Sequence, residues 1–197
     1  LLKEAYLAGG TAAALQLGHR ISRDLDFFTE QSFDEKQLAP ALATLGVQKL
    51  AFDVQTIYGI FCDVPFSYFY YKYPLLAKPH TFEGISIADL DDIAAMKIDA
   101  IATRGIKRDF IDLYCIIQSR GISLNTIISF YEQKYGMERD MVIHALRSLT
   151  YFEDAEKNNL QDRPLELLQK LDWEEVKRFF REEVERTSRK LLWGENV

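Results

Sequence analysis

Cysteine is scarce. The two in this 197-residue chain, Cys62 and Cys115, are too few for a disulfide framework and match no zinc-site spacing. A reduced, cytoplasmic compartment fits that usage. Long apolar runs are missing too: nothing approaches the roughly 20 consecutive apolar residues that span a bilayer. The opening Leu1-Leu2-Lys3-Glu4 lacks the order of a secretory signal, so no membrane partner is expected. Nor is there an excess of positive charge. Thirty Asp and Glu against 24 Lys and Arg give a formal net charge of −6, so the long-range field repels nucleic-acid phosphates and non-specific DNA binding is disfavoured. A local basic cluster still has the reach to hold a nucleotide or a tRNA end, because charges beyond a Debye length of about 8 Å are screened. Repeats, low-complexity tracts and Pro/Ser-rich linkers are absent.

What remains is a composition that buries a core: 48% hydrophobic, 13% aromatic and 27% charged. The pattern changes near residue 85. Before it, helix-prone Ala12–Leu17 stops at Gly18, and Asp24-Leu25-Asp26-Phe27-Phe28 alternates acidic and apolar residues with the period of a half-buried strand. Asp34 is placed to cap a helix ending at Gly46. Residues 47–64 and 66–73 are β-branched and aromatic, with Pro65 and Pro74 as limits. From Asp89 onward the period is helical, with Leu90, Ile93, Lys97, Ala100, Ile101 and Arg104 on one face. Further helices are expected near 108–118, 123–135, 138–157, 165–170 and 173–191. The fold class is therefore α+β: a small mixed sheet with helices over 1–88, followed by a helical region, 89–197, packed on it.

The chemistry concentrates in Gly9-Gly10-Thr11 and, twelve residues on, Asp24-Leu25-Asp26. Acids at i and i+2 of a strand project from one face, where hard carboxylate oxygens suit Mg2+, which keeps phosphate oxygens and water in its octahedron. Two such ions stabilise both the attacking and the leaving oxygen of an in-line phosphoryl displacement. The glycines let backbone approach a ligand, and N–H groups at the start of the next helix point at an anion. Arg20, Ser22 and Arg23 add phosphate donors.

Tyr6-Leu7-Ala8-Gly9-Gly10-Thr11, the block from Gly18-His19-Arg20 through Ser22, Asp24 and Asp26-Phe27-Phe28, and Asp92–Lys97 followed by Arg104, Lys107-Arg108-Asp109-Phe110 and Asp112-Leu113-Tyr114 resemble the AbiEii/AbiGii-type toxin family of nucleotidyltransferase-fold proteins. The three ordered blocks cover roughly residues 4–118. The resemblance implies the polymerase-β-like nucleotidyltransferase fold and transfer of a nucleoside monophosphate from an NTP to a hydroxyl, on the 3′ end of tRNA in some members and on protein in wider relatives. It also implies a toxin with a cognate antitoxin. Asp24 and Asp26 would be metal ligands and catalytic, and Asp63, the best match to a third carboxylate on a later strand, would join them. Lys97 would neutralise phosphate charge. Gly9, Gly10, Thr11, Arg20, Ser22, Arg104, Arg108, Asp109 and Asp112 would serve the nucleotide.

Plainer readings stand beside these. Asp24 and Asp26 alone could be a solvated strand edge, Lys97 a snorkelling side chain, and Asp63 a turn acid near Pro65. Arg108, Asp109 and Asp112 could be ordinary ion pairs on a helix. His19 suits either a phosphate or a helix C-terminus, and the aromatic run Phe66–Tyr73 suits a core better than base stacking. Two other functions share the site: a nucleotide- or partner-binding module without turnover, and a kinase that moves the γ-phosphoryl group.

Overall fold

A computed structural model describes residues 4–157 and 164–193. A seven-stranded mixed sheet runs in the order β3-β4-β5-β2-β1-β7-β6. Its members are β1 (Ala5–Leu7), β2 (Leu25–Thr29), β3 (Gln48–Asp53), β4 (Thr56–Phe61), β5 (Val64–Tyr70), β6 (His80–Phe82) and β7 (Ile85–Ile87). β2 is central, antiparallel to β1 and parallel to β5. The helices are α1 (Gly9–Leu17), α2 (Glu35–Thr44), α3 (Leu90–Thr103), α4 (Lys107–Arg120), α5 (Leu124–Tyr135), α6 (Arg139–Ser148), α7 (Glu153–Lys157) and α8 (Trp173–Trp193).

Local chemistry explains most of these boundaries. Asp34 caps α2 by accepting from the N–H groups of Lys36 and Gln37, and Asp89 caps α3 through the N–H of Asp91. α1, α4 and α5 each end at a left-handed glycine, Gly18, Gly121 and Gly136. Strands end with Ile87 and the helical run begins at Leu90, near the change of pattern in the sequence, yet one apolar core crosses it. Tyr6, Leu7, Ala12 and Ala13 pack in the same cluster as Ile93, Ile98, Phe110 and Leu113. Burying each of the larger of these side chains contributes about 1.5–3 kcal/mol. A smaller cluster under α2 takes Leu42, Val47, Ile57, Phe66 and Tyr68, so the aromatic strand fills a core.

α3 is the axis of the helical half, buried on most of its circumference. It also carries two buried ions. Asp92 pairs with Lys134 of α5 at 2.6 Å and accepts from the backbone of Leu76 and Ala77, a partnership between two fully buried charges that satisfies both.

Two expected helices differ. The 138–157 stretch breaks into α6 and α7, where the N–H groups of Thr150 and Tyr151 turn back to the carbonyls of Arg147 and Ser148, three residues earlier, in a tighter turn than the α-helix makes. The 165–170 stretch is extended instead of helical. The Ile21 N–H donates to the Glu166 carbonyl and the Leu168 N–H to that of His19, so backbone groups a helix would use are paired across the chain. The β6–β7 hairpin, turning on Glu83 and Gly84 at positive φ, was not anticipated.

Candidate active site

β1 runs between β2 and β7 and delivers the chain to the start of α1, directly over β2. The Ala8 N–H donates to the Asp26 carbonyl at 3.0 Å, fixing the turn to the acid strand. Gly9 follows at φ +68°, and no side chain caps α1. A Cβ on Gly9 would stand 3.3 Å from Asp26 Oδ2, and one on Gly10 would collide with the Arg20 guanidinium. Glycine is needed here because backbone, arginine and acid share one small space. Thr11 donates its hydroxyl to the Asp24 carbonyl, and its Oγ1 lies 2.9 Å from Ser22 Oγ. The blocks at 9–11 and 22–26 are thus clamped to one another.

Asp24 lies one residue before β2 and Asp26 is its second residue, both half-buried. Burial raises the Asp26 pKa, as does the neighbouring Asp24 carboxylate, while a hydrogen bond from Ser67 and the charges of Lys97 and Arg104 pull it back. The parallel register sets Ser67 of β5 directly abreast of Asp26.

Beneath the pair lies a buried ionic lattice. Arg20 binds Asp112 with two parallel hydrogen bonds, Nε to Oδ1 at 2.6 Å and Nη2 to Oδ2 at 2.9 Å. His19 Nε2 lies 2.7 Å from the same carboxylate. Lys97 is 4% exposed, with its Nζ 2.7 Å from Asp109 Oδ1 and 2.6 Å from Asp112 Oδ2. Arg104 closes the set with Nε 2.8 Å from Asp109 Oδ2. Burial alone would raise both aspartates, but Lys97 with Arg104 at Asp109, and Lys97 with Arg20 and His19 at Asp112, outweigh it and hold Asp109 below the usual range and Asp112 well below it. The same contacts hold Lys97 up against its own desolvation. Three cations face two anions here, and charge from Lys97 and Arg104 is felt at Asp26.

The structure therefore brings together Gly9, Gly10, Thr11, Arg20, Ser22, Asp24, Asp26, Lys97, Arg104, Asp109 and Asp112. Arg108 joins the edge, lining with Arg20, Ser22, Arg23 and Asp24 an open cavity of about 150 Å³ whose far wall is Leu165 and Glu166. Glu166 reaches Arg23 at 3.0 Å. Lys97 does not project freely into solvent, and His19 neither caps its helix nor faces a phosphate site.

Asp63 is a correction. It is the exposed second residue of the Cys62-Asp63 turn between β4 and β5, with φ +64° after +49° at Cys62. Two-residue hairpins demand positive φ at both positions, and Asp tolerates it. Among the described residues no three His, Cys, Asp or Glu side chains cluster closely enough to hold a metal ion. Sequence reading passed over Ser67; its signal is that it alone interrupts the aromatics from Phe66 to Tyr71.

The donor set tests the fit of a metal. Two carboxylates two residues apart on a strand, with no third ligand grouped with them among the described residues, suit an open coordination sphere completed by phosphate oxygens and water and not a closed protein cage.

Known proteins share this chain's sequence pattern and fold. The model of the nucleotidyl transferase AbiEii toxin family, of type IV toxin–antitoxin systems, matches residues 1–74 and 72–192. A protein of Aquifex aeolicus (strain VF5), aq_aa25, is 38% identical over 190 residues, covering 93% of this chain and 88% of its own. Among solved structures, JHP933 from Helicobacter pylori superposes with a TM-score of 0.54 at 19% identity, covering 96% of this chain and 90% of that one. A second H. pylori structure gives 0.51 at 18% identity, over 100% and 92% of the two chains. At such identities the structures speak for the fold, while the family match spans nearly the whole sequence. The chain belongs to the AbiEii nucleotidyl transferase toxin family and is a nucleotidyltransferase.

Proposed function

We propose that this enzyme transfers a nucleoside monophosphate from an NTP to a hydroxyl on RNA, with the 3′ end of tRNA the leading acceptor, or on protein. The observation that carries the reading is the closeness of the Gly9-Gly10 backbone to Asp26, 3.3 Å from where a Gly9 Cβ would stand. An anion seated on the first N–H groups of α1 would lie beside both acids. Asp24 and Asp26 would hold Mg2+, which supplies charge neutralisation at the attacked phosphorus. The acceptor hydroxyl loses its proton to solvent as its oxygen bonds to the α-phosphorus, and the bond from that phosphorus to the oxygen bridging it to the β-phosphate breaks, releasing pyrophosphate. Gly9, Gly10, Thr11 and Ser22 would cradle the departing phosphates. Arg23 and Arg108, at the cavity beside Asp24, would meet the acceptor. Lys97 and Arg104 would supply a standing positive potential, with Asp109 and Asp112 holding them in place.

Asp63 has no part in this scheme. The net charge of −6 predicts an acceptor gripped locally and weak binding to random duplex DNA. A cognate antitoxin belongs with the family's toxin–antitoxin setting. A cytoplasmic location fits two unpaired cysteines, and among the described residues no helix is long and apolar enough to cross a membrane.

The test is transfer from NTPs labelled at the α or the γ phosphate to total tRNA and to protein. Label arriving from the α position alone is expected. Label only from the γ position means a kinase, and tight NTP binding with no transfer means a binding module.

A further inference from the structure

The aromatic run of β5 divides between two faces. Phe66 and Tyr68 point into the core under α2, so the alternation of a strand sends Ser67 and Phe69 to the opposite face, the one that carries Asp26. Register extends that face sideways. Asp26, Ser67 and Tyr58 stand in one row across β2, β5 and β4, about 4.8 Å per strand, and Phe69 is two residues along, beside Phe28. Phe28 backs Phe69 with ring centroids 5.1 Å apart and planes 28° from parallel, and Tyr58 meets Phe69 edge-on at 6.1 Å and 84°. Two rings near a right angle make a corner in which a third flat ring can lie on one and turn its edge to the other. Tyr58 is 43% exposed and Phe69 half-buried, and neither belongs to an apolar core cluster of the described residues.

The geometry of the reaction says what enters there. On the nucleotidyl-transfer reading the departing phosphates sit at the first turn of α1, which follows β1, and β1 flanks β2 on the side away from β5. In-line displacement sets the attacking oxygen opposite the leaving one, so the acceptor comes in over β5 and β4. The nucleoside of the NTP hangs from another oxygen of the same phosphorus, off that line. Resting on that reading, we infer that Tyr58 and Phe69 are the seat of the acceptor's terminal base, which lies flat on one ring and meets the other with its edge, while Arg23 and Arg108 take the phosphates before it. Every base has a face that stacks on an aromatic ring, so this seat favours a nucleic-acid end over a protein hydroxyl without fixing its sequence.

The experiment follows α-label transfer to total tRNA by the full chain, with kcat and the KM values for tRNA and for NTP taken separately. Tyr58→Ala should raise the tRNA KM about 10-fold, as the loss of one stacking ring does, and leave kcat and the NTP KM unchanged. Tyr58→Phe keeps the ring and should match wild type, and Phe69→Leu should follow Tyr58→Ala. An unchanged tRNA KM in a folded Tyr58→Ala would overturn the inference. A rise in the NTP KM alone would overturn it too, by giving the corner to the incoming base, and transfer to protein alone would exclude a terminal base. If Phe69→Leu fails to fold, the exposed Tyr58 decides. All of these outcomes leave nucleotidyl transfer standing. No α-label on any acceptor from wild type would instead remove that reading, and this inference with it.

Discussion

Arg20, on the loop before the acid strand, and Asp112, 92 residues later on α4, are joined by a two-pronged fork at 2.6 and 2.9 Å. The fork fixes the loop that carries Ser22 and Asp24 to the helical half of the molecule. It also makes the floor of the site a structural element, so substitutions there act on folding as well as chemistry.

Asp24→Asn and Asp26→Asn together should abolish label transfer and Mn2+ binding while the fold survives. Burial and Asp24 raise the Asp26 pKa, so the charged form is held at a cost and its removal at nearly constant volume should leave the melting temperature unchanged or higher. A marked fall in Tm would show that the pair holds the fold.

Lys97→Met should behave in the opposite way. It takes the shared cation from two carboxylates that are 1% and 0% exposed and leaves Asp109 to Arg104 and Asp112 to Arg20 and His19, and breaking a buried pair from one side costs about 3–5 kcal/mol. Denaturant unfolding measures this. A loss of less than about 1 kcal/mol would reduce Lys97 to a snorkelling residue.

Acid should loosen the same lattice. Asp109 and Asp112 have folded pKa values below the ordinary 3.8, so near pH 4 and below the unfolded chain binds more protons and stability rises with pH. Their contribution is fully present above the unfolded pKa and is lost as pH falls through the depressed folded values. Asp112→Asn should flatten this limb in a pH series of unfolding free energies.

Asp63 gives the contrasting case. Asp63→Gly, at φ +64° in an exposed turn, should leave transfer unchanged and stability within about 0.5 kcal/mol. Asp63→Ala should cost about 1 kcal/mol, since alanine is penalised in the left-handed region. A large loss of activity in either variant would restore Asp63 to the site.

Much of this was legible because it is local. The cap at Asp34, the glycine stop at 18, the helical period from Asp89 and the alternation at 24–28 place α1 to α3 and β2 with errors of a few residues, and the helical stretches expected near 108–118 and 123–135 fall on α4 and α5. The spacing of Gly9-Gly10-Thr11 from the two acids marked the part of the site that depends on one stretch of chain. Register is what stayed hidden. The family resemblance set Asp63 on a strand while Pro65 spoke for a turn, and the pairing of Phe61 with Val64 decides for the turn and gives Ser67 its place beside Asp26. Likewise Arg108 and Asp112 share a helix and were natural partners by spacing, but the forked partner of Asp112 is Arg20, from the other half of the chain, which no local pattern encodes.

The backbone bonds between residues 166–168 and 19–21 carry a consequence for the order of synthesis. Arg23 and Glu166 are 143 residues apart, so on the ribosome the loop before the acid strand waits for its partner segment for roughly 10 s at ordinary elongation rates. The Asp112 fork also arrives late. A nascent copy of this nucleotidyltransferase therefore carries its glycine turn and both acids long before they are held in place, and a fragment ending at Lys157 should bind nucleotide poorly.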